Sequence, residues 1–219
     1  MDLSKKNAAR EWPSQVKPDA IVNAAALAVS AACEENPKLS KTINIDLPVE
    51  LARFANEHKL RFIHFSSDMV FDVKTGNYST SSPTNPSNMY GKHKLDPEKQ
   101  VHESYEQSCV IRLPLLMGNS PYGMRFVHEA LWQEWKEDRL TPLFEDECRQ
   151  PVSAGNVAEL TVELIIKESI NGFFYWAGAE KLNRWEMGRQ IAEKFGVSEH
   201  LLQKSLYKKI QSNLNFLPK

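Results

Sequence analysis

The chain has 219 residues, of which 42% are hydrophobic and 25% charged, a composition typical of a globular protein with a sizeable core. A formal net charge of −1 without a basic stripe argues against nucleic acid or an anionic membrane surface as the main partner. There is neither a secretory leader nor a run of about 18 apolar residues, so we expect a cytoplasmic protein without a membrane span.

The cysteines and histidines argue against a metal or disulfide framework. Cys33, Cys109 and Cys148 are odd in number and far apart, which fits a reducing compartment. The six histidines are scattered and form no HExxH motif. The sequence therefore predicts no metal site.

Short apolar runs alternate with helical patterns along most of the chain. The predicted strands are residues 19–26, 60–68, 108–116 and 172–178. The predicted helices are residues 39–59, 90–107, 126–139, 153–169 and 183–196. Alternation of this kind predicts an α/β fold with a mostly parallel sheet. We expect a bend at Pro48 and a polar, functional loop over residues 70–88.

Local end signals mark two of these helices. Ser153 is a predicted N-cap for the helix over 153–169. Asn183 and Glu186 have the spacing of a capping box, and Gly196 is placed to end the same helix.

The segment NMYGKHKLDPE, residues 88–98, places a tyrosine and a lysine on one face of a helix. Tyr90 and Lys94 are four residues apart, and an adjacent ammonium is expected to lower the phenol pKa from its usual value near 10. Such a phenol suits general acid–base chemistry. Ser66 and Ser67 end the preceding strand at its carboxyl edge, where open α/β sheets bind their ligands. Alone, the Tyr–Lys spacing also fits an exposed helix pair.

The order of these motifs is more specific than the pair. A strand ending in SSD, a polar loop and then YGKHKL resembles the extended short-chain dehydrogenase/reductase family, in particular the dTDP-4-dehydrorhamnose reductases and the related regulatory β subunit of methionine adenosyltransferase. Further similar stretches are DAIVNAAA (19–26), FSSDMVFD (65–72), CRQPVSAGNVAEL (148–160) and GFFYWAGAEKLNRWEMGRQIAEKFG (172–196).

The resemblance implies a Rossmann-like, doubly wound parallel sheet that is truncated at its N-terminus. Residues 1–115 would form the truncated dinucleotide-binding part. Residues 116–219 would form a mixed part that contributes the substrate-binding subdomain and a returning strand and helix.

The resemblance also implies roles for individual residues. Tyr90 would donate a proton, Lys94 would adjust its pKa and contact the ribose, and Ser67 would hold the substrate carbonyl. The implied cofactor-binding residues are Asn23, Ala24, Ala25, Ser66, Tyr90 and Lys94. The implied substrate-binding residues are Ser67, Asp68, Met69 and Arg149.

The sequence departs from the family at the phosphate-binding loop. The family's G-x-x-G-x-x-G motif lets the backbone approach the pyrophosphate, whereas the first glycine of this chain is Gly76. We therefore expect binding of NADP, or NAD, to be weakened or lost. RLPLLMG (112–118) has Leu115 and Met117 where the reductases have aromatic residues, and Met69 stands where a tyrosine is usual. The β subunit has a more similar aliphatic stretch.

A few other residues have simpler explanations. For Arg112 we predict a structural ion pair. Trp132 and Trp135 are predicted to pack in a core or subunit interface rather than to line a substrate cleft. Asp68 and Asp72 are predicted to end the strand and fix the following turn.

Three functions stay open. The first is an NADP-dependent reductase of a nucleotide-linked 4-keto sugar. The second is a non-catalytic regulatory subunit that binds a protein partner such as a catalytic subunit, and the third is an inactive truncated homologue. A homo-oligomer is compatible with each of them.

Overall fold

The structure is a computed structural model that describes residues 2–5, 7–72, 76–121, 123 and 126–206. It divides into two compact units, and each consists of two segments of the chain. The first unit comprises Met1–Leu113 and Ala158–Trp176, and the second comprises Pro114–Val157 and Ala177–Lys219.

The helices of the described residues, in chain order, are α1 (Ala8–Val16), α2 (Ser30–Glu35), α3 (Pro37–Lys41), α4 (Leu47–His58), α5 (Met89–Ser104), α6 (Val127–Lys136), α7 (Ala154–Ile166) and α8 (Arg184–Phe195). The strands are β1 (Ala20–Asn23), β2 (Arg61–Ser67), β3 (Cys109–Leu113), β4 (Leu116–Met117), β5 (Thr141–Phe144), β6 (Cys148–Arg149), β7 (Val152–Ser153), β8 (Gly172–Tyr175), β9 (Leu182–Asn183) and β10 (Leu202–Ser205). None of the described helices is long and apolar enough to cross a bilayer.

The first unit is built on a four-stranded sheet in the order β1-β2-β3-β8, and every neighbouring pair is parallel. These are the four strands that the apolar runs predict, so the predicted α/β class is confirmed. All five residues of β3 are buried, as expected for a central strand of a parallel sheet. The carboxyl end of β1 lies beside the middle of β2, because Asn23 of β1 is in register with His64 of β2.

The core of this unit contains apolar side chains from α4 and from the sheet. Leu47, Leu51 and Phe54 lie on one face of α4 and pack in a cluster with Phe62 and Val110. Burial of each such side chain contributes about 1.5–3 kcal/mol. This packing fixes α4 against the sheet, and α5 packs beside α4.

The helix predicted over residues 39–59 is divided just before Pro48. A π-helical turn over Thr42–Asp46 separates α3 from α4. Pro48 is the second residue of α4, and it has no N–H to donate to the carbonyl four residues earlier, which belongs to the π-helical turn. The irregularity therefore lies in the turn that precedes the proline.

The helix that carries Tyr90 is continuous. Its N-cap is Asn88, whose Oδ1 accepts a hydrogen bond of 2.8 Å from the Gly91 N–H. Pro97 lies inside α5 and does not end it. A glycine at residue 91 is required by close packing, since a Cβ there would lie 2.2 Å from the Met69 carbonyl oxygen.

Arg61 is a buried cation that joins separate parts of the first unit. Its Nε donates to the Leu164 carbonyl at 2.8 Å, and its Nη1 donates to the Gln107 carbonyl at 2.9 Å. Its Nη2 donates to the Ile170 carbonyl. The guanidinium thereby satisfies carbonyls near the end of α7 and in the turns before β3 and β8.

The second unit contains three two-stranded pairings. β5 pairs with β10 and β4 with β7 in parallel, while β6 pairs with β9 in antiparallel. Trp135 is 4% exposed in its apolar core, which confirms the prediction of a packing role. The indole of Trp132 stacks on Phe195 with centroids 5.0 Å apart.

The predicted helix ends are confirmed. Ser153 Oγ accepts from the Asn156 N–H at 3.0 Å at the start of α7. Asn183 and Glu186 form both hydrogen bonds of a capping box, each 2.8 Å long. Gly196 follows α8 in the left-handed region with φ of 66°.

Candidate active site

The carboxyl end of β2 leads directly into a tight turn. Ser67 is the last residue of β2, and its Oγ accepts a hydrogen bond of 3.2 Å from the Met69 N–H. This bond caps the 3-10 turn over Asp68–Val70. Asp68 therefore begins a turn, as predicted. The Asp72 carboxylate accepts a 2.5 Å hydrogen bond from the Tyr78 hydroxyl.

Tyr90 and Ser67 are brought together by the packing of α5 on that turn. Because Gly91 has no side chain, the first turn of α5 approaches the Met69 backbone closely. The Ser67 hydroxyl lies near enough to the Tyr90 phenol to lower its pKa. Two of the three predicted catalytic groups are thus close together.

The Tyr90 pKa is raised to about 12. Burial of the phenol is the largest cause, the Ser67 hydroxyl opposes it, and the nearby Asp68 and Cys33 raise the pKa further. The prediction of a pKa lowered by Lys94 is therefore wrong for this state of the protein, because burial outweighs the effect of Ser67 and Lys94 is not among the groups that shift this pKa. The phenol keeps its proton at neutral pH, as a proton donor must.

Lys94 lies one helical turn after Tyr90 and is 2% exposed. Its Nζ donates a 2.6 Å hydrogen bond to the Phe65 carbonyl of β2. Burial lowers its pKa to about 8, and the charge of Glu98 acts in the opposite direction. Lys94 is therefore a buried ammonium at neutral pH, with N–H groups beyond the one that Phe65 accepts.

Ser66 faces into the protein. Its Oγ donates to Glu98 Oε1 at 2.5 Å, and Glu98 is in turn paired with Arg112 at 2.8 Å. The structural ion pair predicted for Arg112 is confirmed. The cofactor contact predicted for Ser66 stays a prediction, since its hydroxyl proton is used within the protein.

The end of β1 is organised by two asparagines. Asn23 Nδ2 donates to His64 Nδ1 at 3.1 Å, and its Oδ1 accepts from the Ala25 N–H at 3.2 Å. Asn44, in the π-helical turn, accepts from the Leu27 N–H at 2.9 Å and donates to the Leu27 carbonyl at 3.1 Å. These bonds hold the loop that follows β1.

Asn44 and Glu98 were not singled out by the sequence. For Asn44, the signal was a polar residue within the largely apolar pattern TINIDL. For Glu98, the signal was its place four residues after Lys94, on the same helix face.

Arg149 lies in the second unit. It pairs with Glu147 Oε1 at 3.1 Å, and Arg184 contacts the same oxygen at 3.0 Å. A role for Arg149 in holding a phosphate stays a prediction.

The residues at the end of the sheet fit the reactive end of a dinucleotide. Lys94 offers buried N–H donors of the kind that bind ribose hydroxyls, and Ala24 and Ala25 leave room beside Asn23 because their side chains are small. The glycine-rich loop that usually binds the phosphates is not found in this sequence, since no glycine precedes Gly76. The described residues therefore fit the nicotinamide and its ribose. No sequence motif identifies residues that would hold the phosphates.

The amino-acid sequence has clear relatives. Residues 1–213 match the RmlD substrate binding domain family. A probable low-salt glycan biosynthesis reductase, Agl14, of Haloferax volcanii is 29% identical over 214 residues, which cover 94% of this chain and 69% of that protein. Methionine adenosyltransferase 2 subunit beta of Xenopus laevis is 29% identical over 212 residues, which cover 92% of this chain. The chain spans only 62% of the length of that subunit.

Solved structures show the same fold. A hypothetical dTDP-4-dehydrorhamnose reductase from Sulfolobus tokodaii is 26% identical with a TM-score of 0.81, covering 94% of this chain and 71% of that one. A dTDP-4-dehydrorhamnose reductase from Bacillus anthracis in complex with NADP has a TM-score of 0.87 at 16% identity, covering 100% of this chain and 82% of that one. At that identity the likeness concerns the fold alone, which is Rossmann-like.

Proposed function

The chain belongs to the RmlD substrate binding domain family, and we propose that it is an NADP-dependent reductase of a nucleotide-linked 4-keto sugar. The observation that carries the proposal is the packing of α5 on the end of β2, which brings the Tyr90 phenol near Ser67 and buries the Lys94 ammonium against the Phe65 carbonyl at 2.6 Å. A relative named as a probable glycan biosynthesis reductase and a structural neighbour named as a hypothetical dTDP-4-dehydrorhamnose reductase support the substrate class.

The chemistry divides between the cofactor and the protein. Transfer of a hydride to the carbonyl carbon is the chemistry that a bound reduced dinucleotide supplies. The Ser67 hydroxyl donates to the carbonyl oxygen of the substrate and holds it beside Tyr90. As that oxygen gains negative charge, Tyr90 transfers its phenolic proton to it, and the product is an alcohol. A phenol with a pKa of about 12 is acidic enough to protonate an alkoxide but holds its proton until then.

The remaining residues position these groups. Lys94 would stabilise the phenolate that is left after proton transfer, through the positive charge of its buried ammonium. Asn23, Ala24 and Ala25 would lie along the nicotinamide ribose. Asp68, Met69 and Arg149 would contact the sugar and its phosphates.

The test combines binding and turnover. NADPH binding to the purified chain is measured by calorimetry, and reduction of dTDP-linked 4-keto sugars is measured by loss of NADPH absorbance. Tyr90→Phe should bind NADPH as the wild type does, with kcat reduced by about 10²–10⁴-fold. Tyr105→Phe is the matched control, since this tyrosine packs in the core and donates only to Gln107. A folded chain that binds no NADPH, or a Tyr90→Phe variant with full activity, would refute the proposal.

A second function is favoured by a different observation. Relatives named as methionine adenosyltransferase 2 subunit beta match 84–92% of the chain, and the aliphatic residues 112–118 resemble that subunit more than the reductases. If the chain is such a regulatory subunit, a mixture with a methionine adenosyltransferase catalytic subunit should elute as a larger complex in size-exclusion chromatography with light scattering. Complex formation without turnover would favour this function over the reductase. A folded chain that shows neither would be an inactive homologue.

A further inference from the structure

A buried ion pair lies directly behind the Tyr90–Lys94 pair. Glu98 of α5 is 2% exposed and Arg112 of β3 is 6% exposed. The guanidinium binds the carboxylate through two nitrogens, with Nε 3.1 Å from Oε1 and Nη2 2.8 Å from Oε2. Arg112 Nη1 donates to the Thr80 carbonyl at 3.2 Å. Burying two charges costs several kcal/mol per ion, so the pair is a weak explanation of stability by itself.

The carboxylate has a third donor, and that donor belongs to the end of β2. Ser66 Oγ donates to Glu98 Oε1 at 2.5 Å and lies 3.4 Å from the Lys94 carbonyl oxygen. The preceding residue, Phe65, supplies the carbonyl that accepts from Lys94 Nζ at 2.6 Å. The following residue, Ser67, lies near the Tyr90 phenol and lowers its pKa.

Three consecutive residues of β2 therefore engage three residues of α5 that are one turn apart. Tyr90, Lys94 and Glu98 form an i, i+4, i+8 row on one helix face, because that spacing keeps side chains on the same side of a helix. The Tyr90 and Lys94 contacts involve groups that must react or bind ligand. The Glu98 contact involves only protein groups.

We propose that Glu98 is a positioning residue: by accepting hydrogen bonds from Ser66 and Arg112 it fixes the end of β2 against α5, and so keeps the Phe65 carbonyl and Ser67 in register with Lys94 and Tyr90. The bidentate ion pair with Arg112 holds α5 against β3 in one geometry, which a neutral apolar contact does not. The Ser66 hydrogen bond joins β2 to the same carboxylate. The carboxylate also favours the charged form of the Lys94 ammonium one turn away. The consequence for turnover rests on the proposed reductase function, whereas the consequence for the Lys94 contact does not.

Two variants separate the parts of this arrangement. Ser66→Ala removes the hydroxyl and leaves the ion pair intact. Glu98→Gln keeps an oxygen acceptor for Ser66 but loses the charge that binds Arg112. Glu103→Gln is the matched control on the same helix, because Glu103 is exposed and pairs only with Lys99 in an exposed i, i+4 contact at 3.4 Å.

The direct readout is the solvent exchange of the Lys94 ammonium protons, followed by NMR on lysine-labelled protein at pH 6, with Lys94→Arg used to assign the signal. In the wild type these protons are protected by burial and by the Phe65 carbonyl. Both Ser66→Ala and Glu98→Gln should accelerate their exchange by about tenfold, the equivalent of one lost hydrogen bond, while Glu103→Gln should not change it. Backbone amides of β3 should keep their protection, which distinguishes a local shift from general unfolding.

The second readout is the division of the effect between kcat and KM. A misaligned Tyr90 should lower kcat by about tenfold and leave the KM for the keto sugar unchanged. Unaltered Lys94 exchange in both variants would overturn the proposal. If Glu98→Gln does not fold, Ser66→Ala decides by itself. If the wild type binds no NADPH and reduces no keto sugar, the proposed function fails, and the exchange experiment still tests Glu98.

Discussion

Gly91→Ala tests how closely α5 must approach the turn after β2. Helix propensity alone predicts that alanine stabilises the helix by up to about 1 kcal/mol. The added Cβ would however lie 2.2 Å from the Met69 carbonyl oxygen and 3.0 Å from Pro86 Cβ. Since an ordinary non-bonded contact is about 3.5 Å, α5 would have to retreat by roughly 1 Å. Overpacking of this kind costs about 1–3 kcal/mol, so we expect a net loss of about 1–2 kcal/mol.

Urea unfolding of both proteins measures this loss as a lower midpoint at an unchanged slope. Gly155→Ala in α7 is the control, because its Cβ would meet nothing closer than Ser153 Oγ at 3.9 Å, and this variant should be as stable as the wild type or slightly more stable. In the Gly91 variant Tyr90 should also move away from Ser67, and kcat of an active enzyme would fall by about 10²-fold. A Gly91→Ala protein that equals or exceeds the wild type in stability would refute the steric reasoning.

Three further substitutions have defined outcomes. Arg112→Met should lower the free energy of unfolding by about 3–5 kcal/mol because it leaves the Glu98 carboxylate buried and unpaired, and replacing both residues by Met should recover most of the loss in urea unfolding. Lys94→Met should be more stable than the wild type at pH 7. Since the folded protein lowers the Lys94 pKa from 10.5 to about 8, the unfolded chain binds more protons between those values, so wild-type stability rises by roughly 3 kcal/mol across that window and the advantage of the variant shrinks. A difference that stays constant between pH 7 and pH 10.5 in thermal unfolding would contradict this. Gly178→Ala should cost about 1–3 kcal/mol, since its Cβ would lie 1.9 Å from the Pro151 carbonyl oxygen, and an unchanged urea midpoint would argue against that close approach.

The sequence was sufficient where local rules decide the structure. The four strands of the sheet are short apolar runs, and the capping pair Asn183 and Glu186 depends only on residues three apart. The alignment of Tyr90 with Lys94 follows from helical periodicity alone. These features depend on residues that are close together in the sequence, so they can be predicted without knowing how distant segments pack.

Features that depend on distant segments were not predictable in the same way. β5 and β10 pair although about 60 residues separate them, and β6 and β9 are bridges of only two residues each. The sequence shows a tyrosine next to a lysine, but not that burial controls the Tyr90 pKa. It likewise shows Ser66 at a strand end, but not that Glu98 and Arg112 converge on it from a helix and another strand.

The carbonyls that accept hydrogen bonds from Arg61 are all synthesised after Arg61 itself. Its guanidinium leaves the ribosome long before its acceptors, since Ile170 follows 109 residues later. At about 5–20 residues per second, that interval lasts roughly 5–20 s. From the synthesis of β3 until that of β8, β3 has an unpaired edge, and the Arg61 guanidinium still lacks its Ile170 partner. A chaperone that recognises open strand edges can bind that edge before translation reaches β8.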